Sequence, residues 1–210
     1  MGEPQVMETW YNKRLYRSRT EARWAVFLDT LQEPFVYEEE CFLLPPVHTW
    51  DGEQSVLAKD CDVLYLPDFW LPRAQQYIEV KPLGKHGAPM VGALELEKAY
   101  RLMMQEAAPV VLLCGQPGLV VPGDTFRLYV AFTPCDDAHE YLWCVCPVCG
   151  TAGMAYEGRS DRLACKNGGC ARTPHGDGGE SFDAPRLVHA FDVARNARFD
   201  WHDRQTIIGQ

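Results

Sequence analysis

Between positions 22 and 31 the apolar residues Ala22, Trp24, Ala25, Phe27, Leu28 and Leu31 recur three and four apart. That spacing predicts an amphipathic helix with one stripe turned to a core. Ser18-x-x-Glu21 at its start has the form of a capping box, in which a hydroxyl and a carboxylate close the first turn reciprocally. Two short apolar runs, 65–72 and 78–81, read as neighbouring strands, and Pro45 to Asp62 reads as a polar insertion ahead of them. Helical spacing returns over Gly92 to Ala107, with Leu96, Ala99, Met103 and Ala107 inward. Pro109 to Gly115 is a continuous apolar run that predicts a buried strand, and Thr125 to Phe132 predicts another. A last helix opens at Asp183-Ala-Pro185: Asp183 caps it, and Pro185 takes the first turn, where its missing N–H costs nothing. Leu187, Ala190, Phe191 and Ala194 form its apolar face. The fold class predicted is α/β, in the order helix, three strands, helix, strand, with the last crossover bringing its strand in parallel.

The same periodicity decides where chemistry can sit. In Ile-Glu-Val-Lys, residues 78 to 81, Ile78 and Val80 fill one face of a strand while Glu79 and Lys81 project together from the other. Asp68, with ten residues between it and Glu79, follows Pro67. The proline biases Leu66 towards an extended conformation and removes a ladder donor, so the strand splays near Asp68 and opens a pocket. Two carboxylates supply hard oxygen ligands for Mg²⁺, and an amine orients or deprotonates a water: the minimum kit for attack on a phosphodiester. Glu21 heads the buried face of the first helix, aimed at the sheet where the other carboxylates stand. Two roles are open to it, cap and metal ligand. The plain structural alternative for Glu79 and Lys81 is a surface Glu-x-Lys pair on a half-exposed hairpin.

Pro67, Asp68, Glu79 and Lys81, with the upstream segments Ser18 to Leu28 and Tyr37-Glu-Glu-Glu40, resemble the PD-(D/E)XK nuclease superfamily over about residues 10–135. This is the fold of many restriction enzymes, resolvases and phage exonucleases, and the segments are similar to small nuclease-like proteins of phages and mobile elements. The resemblance implies a restriction-endonuclease-like core with an edge strand near Tyr37. It implies Mg²⁺ or Mn²⁺ held by Asp68 and Glu79, with Glu21 as a further ligand, directly or through water, and the carbonyl of Val80 joining them. Lys81 would then orient the attacking water and stabilise charge in the transition state.

Nine cysteines, an odd number, and an N-terminus that is polar through Arg23 predict a reducing cytoplasm, where spaced cysteines are metal ligands rather than disulfides. No stretch approaches a membrane span. Cys146-Pro-Val-Cys149, then fifteen residues beginning with Gly150, then Cys165-x(4)-Cys170 has the spacing of a zinc ribbon, two tight loops each offering two thiolates to one structural Zn²⁺. Cys144 and His175 are the substitute ligands the pattern allows. Cys41, Cys61, Cys114 and Cys135 read as small core residues. Charge and proline interrupt the apolar pattern between Pro134 and Glu140, which divides the chain into a nuclease-like domain over 1–137 and a zinc ribbon with C-terminal helix over 138–210.

A formal net charge of −9 repels a polyanion at long range. The charge is unevenly placed: residues 31–154 carry 17 acidic and 7 basic side chains, whereas residues 1–30 carry 4 and 5. The acid excess lies in the core, where divalent metal would offset part of it. Lys13, Arg14, Arg17, Arg19 and Arg23 cluster around the start of the Glu21 helix and predict a phosphate contact beside the carboxylates. Arg186, Arg195 and Arg198 of the last helix face solvent or phosphate. The function expected is metal-dependent hydrolysis of DNA, the ribbon binding nucleic acid or a protein partner. The alternative is a binding or anti-defence adaptor that keeps the fold without turnover; the acidic charge favours it, and the complete set Glu21, Asp68, Glu79 and Lys81 opposes it.

Overall fold

The computed structural model describes residues 7–47, 61–83, 90–118, 129–132, 141–146, 149–156 and 184–199. They form a mixed α/β fold of three helices and several small sheets. In chain order the elements are β1 (Thr9–Tyr11), β2 (Arg14–Tyr16), α1 (Arg19–Thr30), β3 (Val36–Tyr37), β4 (Phe42–Leu44), β5 (Val63–Tyr65) and β6 (Phe69–Leu71). There follow β7 (Gln76–Lys81), α2 (Ala93–Glu106), β8 (Val110–Cys114), β9 (Tyr129–Phe132), β10 (Tyr141–Val145), β11 (Ala152–Tyr156) and α3 (Pro185–Asn196).

The largest sheet has the order β3-β6-β7-β8-β9. β6 pairs antiparallel with both β3 and β7, α2 then carries the chain to β8 in parallel with β7, and β9 returns antiparallel. Strand alternation sorts the side chains into two cores. Ile78, Val80, Val111 and Leu113 pack with α1, whereas Tyr77, Val110 and Leu112 pack with α2. The expected stripe of α1 is buried, and Val26 with it. Trp24 Nε1 donates to the carbonyl of Gly115 at 2.9 Å, and the Gly115 N–H donates to the carbonyl of Lys81 at 2.7 Å. Gly115 has φ +80°, and a Cβ there would lie 2.6 Å from Leu83 Cδ1, so glycine alone lets α1 hold the ends of β7 and β8 together. Lys81 is placed by that junction.

Several expectations need correction. The run 65–72 is two strands rather than one: β5 pairs with β4 in a separate sheet, β6 joins the large one, and the chain parts at Leu66, Pro67 and Asp68. The buried face of α2 is Glu97, Ala99, Arg101, Leu102 and Met103. Leu96 is only half-buried, and Ala107 is an exposed C-cap in the left-handed conformation. The mutual pairing of Glu97 and Arg101, at 2.7 Å, is what lets two charges replace the expected apolar positions. Ala184 occupies the N-cap position of α3, with Pro185 in the first turn, and Asp183 lies outside the described residues. Cys41 and Cys61 are exposed rather than packed, because each precedes a strand of the small β4–β5 sheet; Cys114 is buried in β8, and Cys135 lies outside the described residues.

Packing also runs across the expected boundary at 137/138. Trp143 of β10 lies against Trp24 and Phe27 of α1, with ring centroids 6.0 and 4.8 Å away, and Phe191 of α3 is 4.6 Å from Phe27. The side chain of Gln76 donates to the Met154 carbonyl at 2.6 Å and accepts its N–H at 2.9 Å, as a neighbouring strand's backbone would. Among the described residues no helix is long and apolar enough to cross a membrane.

Candidate active site

The ladder between β6 and β7 ends at Phe69 opposite Ile78. One residue earlier the Asp68 side chain takes over the pairing: its Oδ2 accepts the Val80 N–H at 2.6 Å, while its own carbonyl accepts the Glu38 N–H at 3.0 Å. Asp68 is thereby fixed at the splay with only 2% of its surface exposed. On β7, Glu79 and Lys81 share a face as strand alternation requires, and Lys81 Nζ donates to Glu79 Oε1 at 2.7 Å. Tyr65 of β5 donates its hydroxyl to the other oxygen at 3.1 Å.

Glu21 approaches from α1. Ser18 accepts the Glu21 N–H at 3.1 Å, capping the helix, and its hydroxyl donates to Glu21 Oε1 at 2.7 Å. Tyr37 donates to Oε2 at 2.5 Å. Glu21 is therefore tied to the cap and also buried on the α1 side of the sheet, so the two roles open to it are not exclusive.

Electrostatics bind these residues into one cluster. Burial, followed by the charges of Glu79 and Glu21, pushes the Asp68 proton affinity well above the ordinary carboxylate range, against the opposing Val80 N–H and Arg17. Burial raises Glu38 as well, opposed by Arg17 and reinforced by Glu21 and Glu79. Burial and the Glu79 carboxylate raise Tyr65 far enough to keep its hydroxyl a donor. The charges of Glu79 and Glu21 thus act on both Asp68 and Glu38, where Arg17 opposes them, and Lys81 is bonded to Glu79. A cleft of about 120 Å³, lined by Glu38, Pro67, Phe42, Trp70 and Tyr77 among others, opens beside the splay.

The basic cluster expected around the start of α1 divides. Lys13 stands in the tight β1–β2 turn with φ +65°, Arg14 is exposed on β2, and Arg19 is exposed at the first residue of α1. Arg23 donates to Gln116 at 3.0 Å. Arg17 turns into the site: its Nη2 lies 2.6 Å from Asp68 Oδ1 and its Nε pairs with Glu38. Among the described residues no three His, Cys, Asp or Glu side chains form a ready-made metal-binding group, and Glu21, Asp68 and Glu79 are each turned to protein donors. The chemistry of the donors nonetheless fits a hard divalent cation: carboxylate oxygens in excess, on a buried strand end, whose bound cation here is a guanidinium.

At the β10–β11 turn, the Gly150 N–H donates to the Cys146 carbonyl and the Cys146 N–H to the Thr151 carbonyl, both at 2.8 Å. Gly150 has φ +69°, and Arg73 donates to the Cys149 carbonyl at 2.6 Å. This tight turn holds Cys146 and Cys149; Cys165, Cys170 and His175 lie outside the described residues, and Cys144 is buried in the core. Glu33 is buried nearby, with Oε2 accepting the Ala152 N–H at 2.8 Å and Oε1 lacking a hydrogen-bond partner. Burial raises its pKa to about 7, with a smaller contribution from Cys149 and opposition from the Ala152 N–H, Arg73 and Arg186. Arg186 itself donates to the Leu31 carbonyl at 2.7 Å, whereas Arg195 and Arg198 are exposed. Comparison of the chain with protein-family models, curated proteins and solved structures finds no match to any of them.

Proposed function

We propose that this chain is a metal-dependent nuclease of the PD-(D/E)XK type, with a restriction-endonuclease-like core that hydrolyses DNA phosphodiester bonds. The observation that carries the reading is Asp68, a buried acid at a strand end on which the charges of Glu79 and Glu21 act, with Lys81 bonded to Glu79. Buried like charges cost stability, and a fold gains nothing from gathering them unless a cation is to be held there. The antiparallel β6–β7 pair followed by a parallel crossover through α2 is the topology the resemblance calls for.

Asp68 and Glu79 would hold Mg²⁺ or Mn²⁺, with Glu21 directly or through water and the Val80 carbonyl alongside. The bound ion would supply Lewis acidity towards the phosphate and a more acidic water. Lys81, at the end of β7, would hold that water by hydrogen bond, aim it at phosphorus and stabilise the developing charge. Exposed Lys13, Arg14 and Arg19 offer positive charge to flanking phosphates. Cys146 and Cys149, with Cys165 and Cys170, would hold a structural Zn²⁺ in a ribbon that binds nucleic acid or a protein partner.

The adaptor reading has one observation in its favour: Glu21, Asp68 and Glu79 each already accept hydrogen bonds from protein donors. One assay separates the two. Purified protein is incubated with Mg²⁺ or Mn²⁺ and linear, circular, single-stranded or branched DNA, and zinc is counted by elemental analysis. Metal-dependent cleavage is expected on at least one substrate, with one zinc per chain. Inertness on all of them with both metals leaves the adaptor, and absence of zinc removes the ribbon.

A further inference from the structure

Arg17 is an odd companion for Asp68. It lies on no helix or strand, between β2 and α1, and its side chain is 54% exposed, yet it reaches the 2%-exposed carboxylate. Arg101, by contrast, is as buried as the Glu97 it pairs with. Arg17 is also the group that occupies Asp68 Oδ1, the oxygen left after Oδ2 has been committed to the Val80 N–H. A hard cation can therefore take Asp68 by Oδ1 only after the guanidinium has moved. The backbone beside it is held separately, by the Arg17 N–H donating to Tyr37 Oη at 3.0 Å, so the side chain can leave without dragging the segment.

We propose that Arg17 is the internal counter-cation of the carboxylate cluster, displaced from Asp68 by a divalent metal ion and thereby released to bind a phosphate of the nucleic acid. The inference rests on the nuclease reading and deepens it. A guanidinium paired with carboxylates suits a phosphate equally well, since both present paired oxygens to its donors. The exchange adds positive charge where acid is in excess: the divalent ion replaces the singly charged arginine at Asp68, and the arginine moves outward to the incoming anion. Binding of metal and of nucleic acid would then reinforce each other through one side chain, because the metal frees the group that the phosphate uses.

The test is Mn²⁺ affinity by calorimetry in wild type and Arg17→Gln, with melting curves as a check on folding. A charge-assisted bond to a buried acid, discounted for the exposure of Arg17, predicts about tenfold tighter Mn²⁺ binding in Arg17→Gln. Affinity that is equal or weaker in the variant overturns the inference and makes Arg17 a clamp that positions Asp68. A second arm follows a short fluorescent DNA by anisotropy, in chelator and in Ca²⁺. Arg17→Gln should lose about tenfold in DNA affinity with Ca²⁺ and almost nothing in chelator. An equal loss in both conditions overturns the exchange. Absence of Mn²⁺ uptake by wild type and variant alike sinks the nuclease reading itself, and this inference with it. If Arg17→Gln fails to fold, Arg17→Lys carries the same test, because lysine keeps the charge but cannot bridge Asp68 and Glu38; its Mn²⁺ affinity should again exceed that of wild type.

Discussion

Among the described residues Arg101 and Arg17 both meet buried acids, and they do so on opposite plans. On α2, Arg101 and Glu97 stand one turn apart with side-chain exposures of 0% and 7%, and Arg101 donates a further bond to the Cys61 carbonyl at 3.0 Å. Both side chains lie on the buried face of α2 beside Ala99, Leu102 and Met103. At the splay of β6, Asp68 meets a half-exposed Arg17 in the company of Glu21, Glu38 and Glu79. An enclosed pair is a packing solution. An acid whose cation is half-exposed is the kind of site at which we propose a ligand.

The largest effect expected separates the two by activity. Asp68→Ala or Lys81→Ala should lower metal-dependent DNA cleavage about a thousandfold, through loss of a metal ligand or of the group that readies the water, with little change in the melting curve. Survival of cleavage in both variants, or collapse of the fold in either, would erase the distinction drawn from Asp68.

Next in size is the enclosed pair. Arg101→Ala should cost about 3–5 kcal/mol in urea unfolding, because the buried Glu97 loses the guanidinium 2.7 Å away. The double substitution Glu97→Gln with Arg101→Met should recover most of that loss. A cost under about 1 kcal/mol for Arg101→Ala would reduce the pair to the rank of a surface contact.

Glu33 provides a third buried acid, matched by arginine but not fully, and its signature is pH. Its pKa is raised from 4.5 to about 7 in the folded protein, so the folded state holds the proton more tightly than the unfolded one. The stability it contributes is complete below pH 4.5 and is lost as pH rises through about 7, a total of about 3 kcal/mol. In melting temperature against pH, Glu33→Gln should remove this decline. A wild-type profile already as flat as that of the variant would show that Arg73 neutralises Glu33 outright.

The smallest effect concerns Glu21. Glu21→Gln keeps an acceptor for Tyr37 and a partner for Ser18, so stability should barely move while Mn²⁺ affinity falls about tenfold. Unchanged affinity would leave Glu21 a cap and nothing more.

Much of the frame was legible along the chain because periodicity is a local property. The stripe of α1, the buried run of β8, the parallel crossover and the apolar face of α3 all follow from spacing that burial then satisfies. The shared face of Glu79 and Lys81 was equally readable, since strand alternation is obligatory. The β1–β2 hairpin was missed because its turn residues, Asn12 and Lys13, both adopt positive φ without the glycine that usually announces it. Tyr37, Tyr65 and Glu38 carried no signal beyond lying in the same segments as the acids they serve. Their roles depend on side chains from three different strands or loops meeting at one point.

Sequence alone determined most of the elements and their amphipathic faces, because these depend on neighbours a few positions away. Only the tertiary structure decided that Arg17 faces inward to Asp68 instead of outward, and that Glu97 and Arg101 are core residues. It also decided that β10, β11 and α3 share their core with α1. Each of these turns on whether a charge, or an apolar face, finds its complement across a long loop of chain. No local spacing encodes that, because the complement is supplied by another element and the cost of burial is settled only when the two meet.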